Sequence, residues 1–126
     1  VDILVPSALE NVINRQNMRK IKAKIIVEMA NGPVTDEAYE FLTKKGVIII
    51  PDVLANSGGV IGSYLEWLQG LRGESWSEEK YNKKLKSILE KATDEIYKRS
   101  IKQKISLKKA AYDIAVLRLY KEWQNK

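Results

Sequence analysis

Apolar positions along the chain change period about midway. Up to residue 50 they come in short runs; beyond residue 57 they recur every three or four positions. Val1-Asp2-Ile3-Leu4-Val5 is rich in β-formers and stops at Pro6, which predicts a short buried strand. A second strand is expected within Ala23–Met29, centred on Ile25-Ile26-Val27. Val47-Ile48-Ile49-Ile50 is continuously apolar, the pattern of a strand covered on both faces, and Pro51-Asp52 ends it. Between the first two runs, Ser7 followed by Ala8-Leu9-Glu10 predicts a capped turn of helix, and Asn17 opens a second short turn. After the turn Ala30-Asn31-Gly32-Pro33, Thr35 has the chemistry of an N-cap. Asp36 and Glu37 behind it suit the free amides and positive end of a helix. Ala38, Phe41 and Leu42 keep helical spacing, and Gly46 is placed to end that helix in the left-handed conformation.

The second half reads as helix throughout. Val60, Tyr64, Trp67, Leu68 and Leu71 follow a 3.6-residue period until Gly70 and Gly73 interrupt it. Ser77 caps a long helix to about Ser100, with Tyr81, Leu85, Ile88, Leu89, Ala92 and Ile96 as its buried stripe. Ser106 caps the last one, with Leu107, Ala110, Ala111, Ile114 and Leu117 on one face, widened by Val116, Tyr120 and Trp123. Strands alternating with helices imply an α/β fold with a parallel sheet and right-handed crossovers, followed by a helical C-terminal region.

Composition narrows the chemistry. A chain of 126 residues is one domain at most, and 44% apolar with 30% charged residues suits a globular fold rather than disorder. No apolar run approaches the roughly 18 residues of a membrane span. With no Cys and no His, disulfides, thiolate nucleophiles, imidazole acid–base catalysis and the common zinc ligands are excluded, and no metal site is expected. The net charge of +6 comes from 22 Lys and Arg against 16 Asp and Glu. These cations are spread over amphipathic helices rather than gathered among aromatics, so a solvated surface is preferred to nucleic-acid binding. Because the chain opens at Val1, directly on a strand pattern, further sequence upstream is expected.

In open parallel sheets, ligands gather beyond the carboxyl ends of the strands. Three segments meet that condition: Pro6-Ser7-Ala8, Ala30-Asn31-Gly32-Pro33 and Ala55-Asn56-Ser57-Gly58-Gly59. An Asn amide offers both a donor and an acceptor and matches a carboxamide. Gly58 and Gly59 clear side-chain bulk where a ring or phosphate approaches. The plain alternative is that these residues only make turns and caps. Val60 and Ser63 lie one turn apart and could face one cleft; the competing role for Ser63 is a hydroxyl bonded to a carbonyl one turn back. Glu28 and Asp52 stand near strand ends as candidate acids or ion-pair partners; neither is assigned a catalytic role, a surface carboxylate being the commoner case. Trp67, Trp76 and Trp123 read as packing residues. No G-x-G-x-x-G fingerprint is present, and Gly58-Gly59-x-x-Gly62 is a weak imitation in the wrong place. A dinucleotide's main pyrophosphate loop would therefore lie upstream of Val1.

Several stretches, in this order and spacing, carry a specific resemblance. They are Asp2-Ile3-Leu4-Val5-Pro6-Ser7-Ala8, then Lys22 through Thr35 with its core Val27-Glu28-Met29-Ala30-Asn31-Gly32-Pro33, then Ile50-Pro51-Asp52, Asn56-Ser57-Gly58-Gly59-Val60 and Ser63-Tyr64-Leu65-Glu66-Trp67. Over essentially its whole length the chain resembles the glutamate dehydrogenase family, within the wider group of glutamate, leucine, phenylalanine and valine dehydrogenases. It looks closer to a prokaryotic, archaeal type than to the branched-chain relatives. The resemblance implies a partial Rossmann-like sheet. Residues 1–71 would be the later strands and helices of a dinucleotide-binding domain, and residues 72–126 the helices packing back on it.

The implied parent is a cytoplasmic homohexamer that reversibly deaminates glutamate to 2-oxoglutarate and ammonia with NAD or NADP. Ser7 and Ala8 would border the coenzyme, Asn31 would lie near the ribose and nicotinamide, and Asn56 would hold the nicotinamide carboxamide. Val60 and Ser63 would form the pocket around the substrate side chain, with Ser63 on its distal carboxylate. Ser57 and Gly62 stand where the family more often has Ala and Thr or Val. The family's catalytic Lys and Asp have no match here, so no catalytic residue is assigned. The segment is expected to orient nicotinamide rather than move protons, and alone to be inactive, a folding or binding module. The strand containing Ile3 would be an exposed sheet edge.

Overall fold

A computed structural model describes residues 1–125. Three short parallel strands, β1 (Ile3–Leu4), β2 (Ile25–Val27) and β3 (Ile48–Ile50), lie side by side in that order. Ile25 pairs with Ile3 on one side and Ile48 on the other. Helix α1 (Asp36–Lys44) makes the crossover from β2 to β3. After β3 come α2 (Asp52–Ala55), α3 (Gly58–Arg72), α4 (Glu78–Gln103) and α5 (Leu107–Gln124). The expected architecture is present: a partial Rossmann-like parallel sheet, then a helical C-terminal region, with β1 at an edge.

Local chemistry sets most of the boundaries. The side chains of Thr35, Ser77 and Ser106 each accept a hydrogen bond from the amide three residues on, satisfying donors that a helix start leaves free. At the end of α1, Gly46 takes φ +84°. This allows Val47 N–H to reach the Leu42 carbonyl at 3.0 Å and Gly46 N–H the Thr43 carbonyl at 2.9 Å. Gly73 ends α3 in the same way at φ +61°, whereas Gly70 is carried inside the helix. Helix α4 runs three residues past Ser100 before Lys104, a non-glycine at φ +53°, closes it.

Two cores divide the packing. Ile26, Leu42, Ile49, Ala38 and Val34 bury one face of the sheet against α1, joined by Ile13 and Met18 from the β1–β2 connection. Leu54, Ile96, Ala110, Ala111 and Ile114 form the second, which Ile50 joins from the sheet. Several expectations need correction. Ser7–Glu10 forms no helix; the Ser7 hydroxyl donates instead to the Val5 carbonyl at 3.1 Å. Asn17 does open a turn, the 3-10 segment Met18–Lys20. β1 is not a buried strand, since Ile3 is 53% exposed, and β3 is not covered on both faces, since Ile48 is 52% exposed. The helical hairpin reaches the second face of the sheet only near Ile50. Along α4 the expected stripe is the packing face, with Ile96 buried, Tyr81, Leu85, Leu89 and Ala92 partly buried and Ile88 exposed; along α5 Leu117, Val116, Tyr120 and Trp123 are exposed, because the helix outruns what it packs on.

Gly62 has a local cause. A Cβ there would sit 2.6 Å from the Tyr81 hydroxyl of α4, so the volume of a larger residue is already filled. Gly62 and Tyr81 are therefore one packing solution at the α3–α4 contact.

Candidate functional site

The cleft beyond the strands is built from their exits. After β1, the Pro6 carbonyl accepts the amides of Met29 and Ala30 at 3.1 and 2.9 Å, which ties the first exit to the second. After β2, Glu28 N–H bonds the Ile50 carbonyl at 3.1 Å, tying the second exit to the third. Gly32 turns the chain at φ +55°. After β3, the chain goes straight into the single turn α2, an element the sequence reading passed over; Asn56 caps its end.

Two of the proposed side chains meet directly. The Asn56 side-chain amide donates to Asn31 Oδ1 at 2.7 Å and approaches the Met29 carbonyl at 3.4 Å. This use of the two side chains leaves the Asn31 NH2 and the Asn56 carbonyl oxygen as the donor and acceptor that the pair can offer a ligand. An open cavity of about 560 Å³ lies over them, lined by Ala8, Leu9, Glu10, Met29, Ala30, Asn31 and Asn56. Ser7 is exposed beside Ala8 and does not line it. Val60, 70% exposed, and Ser63 sit on the surface of α3 and do not line it either.

The carboxylates differ from the sequence reading. Glu28 is not a surface residue: it is 1% exposed. It alternates with Ile26 on the core face of β2, so the two-residue period of the strand could have located it. Its Oε2 accepts the Asp52 amide at 3.1 Å, while its Oε1 makes no hydrogen bond of good geometry among the described residues. Burial pushes the Glu28 carboxyl above its ordinary range and the charge on Asp52 adds to this, while the Asp52 and Val34 amides and Lys108 oppose it. Asp52 is half-buried and bonded twice, to Val53 N–H at 2.8 Å through Oδ1 and to Gly32 N–H at 2.8 Å through Oδ2.

Among the described residues no cationic side chain lines the cleft. Its polar lining is the two side-chain amides, the backbone and the Glu10 carboxylate. A larger hollow of about 630 Å³ lies between α3 and α4, beside Lys80, Lys83 and Lys84, away from the strand ends. Among the described residues no cluster of acidic side chains could hold a metal ion, and no helix is long and apolar enough to cross a membrane.

Comparison with known proteins bears on this cleft. The family model described as Glutamate/Leucine/Phenylalanine/Valine dehydrogenase matches residues 1–126. The NAD-specific glutamate dehydrogenase of Staphylococcus aureus is 51% identical over 117 residues, covering 93% of this chain and 28% of that protein. The crystal structure of glutamate dehydrogenase from Peptoniphilus asaccharolyticus superposes with a TM-score of 0.86 at 38% identity, over 98% of this chain and 32% of that one. The hetero-hexameric glutamate dehydrogenase of Thermus thermophilus, in a Leu-bound form, gives 0.90 at 31% identity, over 94% and 28%. The chain thus spans about a third or less of the length of these relatives.

Proposed function

The chain belongs to the glutamate, leucine, phenylalanine and valine dehydrogenase family, and from that premise we propose that it is the nicotinamide-facing part of a coenzyme domain. The parent enzyme would reversibly deaminate glutamate to 2-oxoglutarate and ammonia with NAD or NADP, as a cytoplasmic hexamer. Residues 1–71 would be the dinucleotide-binding part and residues 72–126 the helices returning onto it. The observation that carries this reading is the Asn31–Asn56 pair, bonded at 2.7 Å across the ends of β2 and β3.

In this reading Asn56 holds the carboxamide, Asn31 lies by the ribose and nicotinamide, and Ser7 and Ala8 border the coenzyme. Val60 and Ser63 meet the substrate side chain from α3, with Ser63 on the distal carboxylate. The nicotinamide, when bound, supplies the hydride acceptor or donor. The chain's own part is orientation: two amides locked to each other leave one donor and one acceptor at a fixed spacing. Alignment of that kind raises a transfer rate without any proton moving. By itself the chain would be a non-catalytic binding module, and it is expected to show no glutamate-dependent coenzyme reduction. In the full-length enzyme carrying this segment, Asn56→Ala should slow hydride transfer by about tenfold, the scale of one well-placed hydrogen bond. Single-turnover kinetics with NAD and with NADP measure this, and unchanged rates would overturn the assignment.

A further inference from the structure

The amide pair is held from behind by a buried acid. Starting at Asn56, hydrogen bonds and covalent steps close a ring around the two loops. Asn56 N–H bonds the Asp52 carbonyl at 3.0 Å, and Asn56 Nδ2 bonds Asn31 Oδ1 at 2.7 Å. Gly32, the next residue, donates its N–H to Asp52 Oδ2 at 2.8 Å. Asp52 N–H in turn donates to Glu28 Oε2 at 3.1 Å, and Glu28 is anchored in the sheet by its own amide on the Ile50 carbonyl. Asp52 is the hinge of this ring: its side chain grips the Asn31 loop while its carbonyl grips Asn56. Its orientation depends on what its amide meets, and that is a carboxyl almost wholly removed from water.

Keeping a carboxyl there is costly. Burial works against its charge, and one of its oxygens makes no hydrogen bond of good geometry among the described residues. A core Leu would fill the space more cheaply but would leave the Asp52 amide without an acceptor. We propose that Glu28 is a positioning residue that sets the Asn31–Asn56 pair through Asp52, so that the spacing of the donor and acceptor presented to the coenzyme is decided in the core of the sheet. The inference rests on the coenzyme reading for its purpose. The coupling itself is a property of this chain.

The test is made on the 126-residue chain, by hydrogen exchange at Gly32 N–H and the side-chain amide resonances of Asn56, with the Ile26 amide as a reference for global opening. Glu28→Ala is expected to speed Gly32 exchange relative to Ile26 by about tenfold, the scale of one lost hydrogen bond. It should also collapse the Asn56 resonances toward those of a free amide. Glu28→Gln keeps an acceptor for the Asp52 amide and should restore both readouts. If Glu28→Ala does not fold, Glu28→Leu fills the same space without an acceptor for the Asp52 amide and should produce the same two changes. Gly32 and Asn56 signals that move only in step with Ile26 would reduce Glu28 to a stability residue and overturn the proposal. So would a Gln variant that fails to rescue. Single-turnover kinetics of Asn56→Ala in the full-length enzyme test the coenzyme reading separately: unchanged rates count against that reading, while the exchange ratios still decide the coupling.

Discussion

The sheet half and the helical half of this chain bury their apolar residues to very different depths. Around β2 and β3, Ile26, Leu42 and Ile49 are almost wholly removed from water, and the loops beyond the strands are tied to one another by backbone bonds. In the hairpin of α4 and α5, one patch around Ile96, Ala110, Ala111 and Ile114 is buried, while Tyr97, Ile101, Leu119, Tyr120 and Trp123 face solvent. Ion pairs such as Arg118–Glu95 link the two helices at the surface, where such contacts contribute little. Apolar residue count is thus a poor guide to stability here. What differs is how many sides of each residue meet another part of the fold.

The sharpest way to break this comparison is by truncation in each half. Leu42→Ala should cost about 2–5 kcal/mol, because the site is closed on every side, whereas Trp123→Ala, at 73% exposure, should stay within about 0.5 kcal/mol. Denaturant titration measures both, and equal losses would show that the two halves are packed alike. A pH series comes next. Glu28 is the buried carboxyl of the sheet half, faced by Asp52 of α2, Tyr39 of α1 and Lys108 of α5. Its folded pKa is raised above the ordinary 4.5, so the folded state binds the proton more tightly than the unfolded state. Its contribution is therefore fully favourable below about 4.5 and is lost as pH rises through the raised folded value. Glu28→Gln should remove that decline from a plot of unfolding free energy against pH; an unchanged slope would place the titrating group elsewhere. A small gain is expected at the turn of the hairpin. Lys104 holds a left-handed conformation that glycine adopts without steric cost, so Lys104→Gly should raise stability by roughly 0.5–1 kcal/mol in thermal unfolding.

The caps were legible because they are local. Thr35, Ser77 and Ser106 each need only an amide three residues away, and Gly46 needs only its own φ. The end of α4 was not legible, since Lys104 does what a glycine usually does and nothing in its identity announces it. The one-turn α2 was hidden because four residues carry no period. Asn31 and Asn56 were legible as ligand candidates from their places after strands. Their mutual bond was not, because they are 25 residues apart and meet only when β2 and β3 pair in register. Glu28 shows the opposite error. Its residue type suggested a surface, while the alternation with Ile26 carried the better signal.

By itself the sequence determined the alternation of strands and helices, the starts of α1, α4 and α5, and the three exits at which a ligand could be met, since each depends on neighbours within a few residues. The tertiary structure alone decided which of those exits share a cleft and which carboxyl is sealed beneath them. It also decided that Val60 and Ser63 lie on the exposed surface of α3, outside the cavity over Asn31 and Asn56, and that much of α5 remains in water. Those outcomes depend on distances between residues far apart in the chain, which no local pattern specifies and only the paired sheet brings within bonding range.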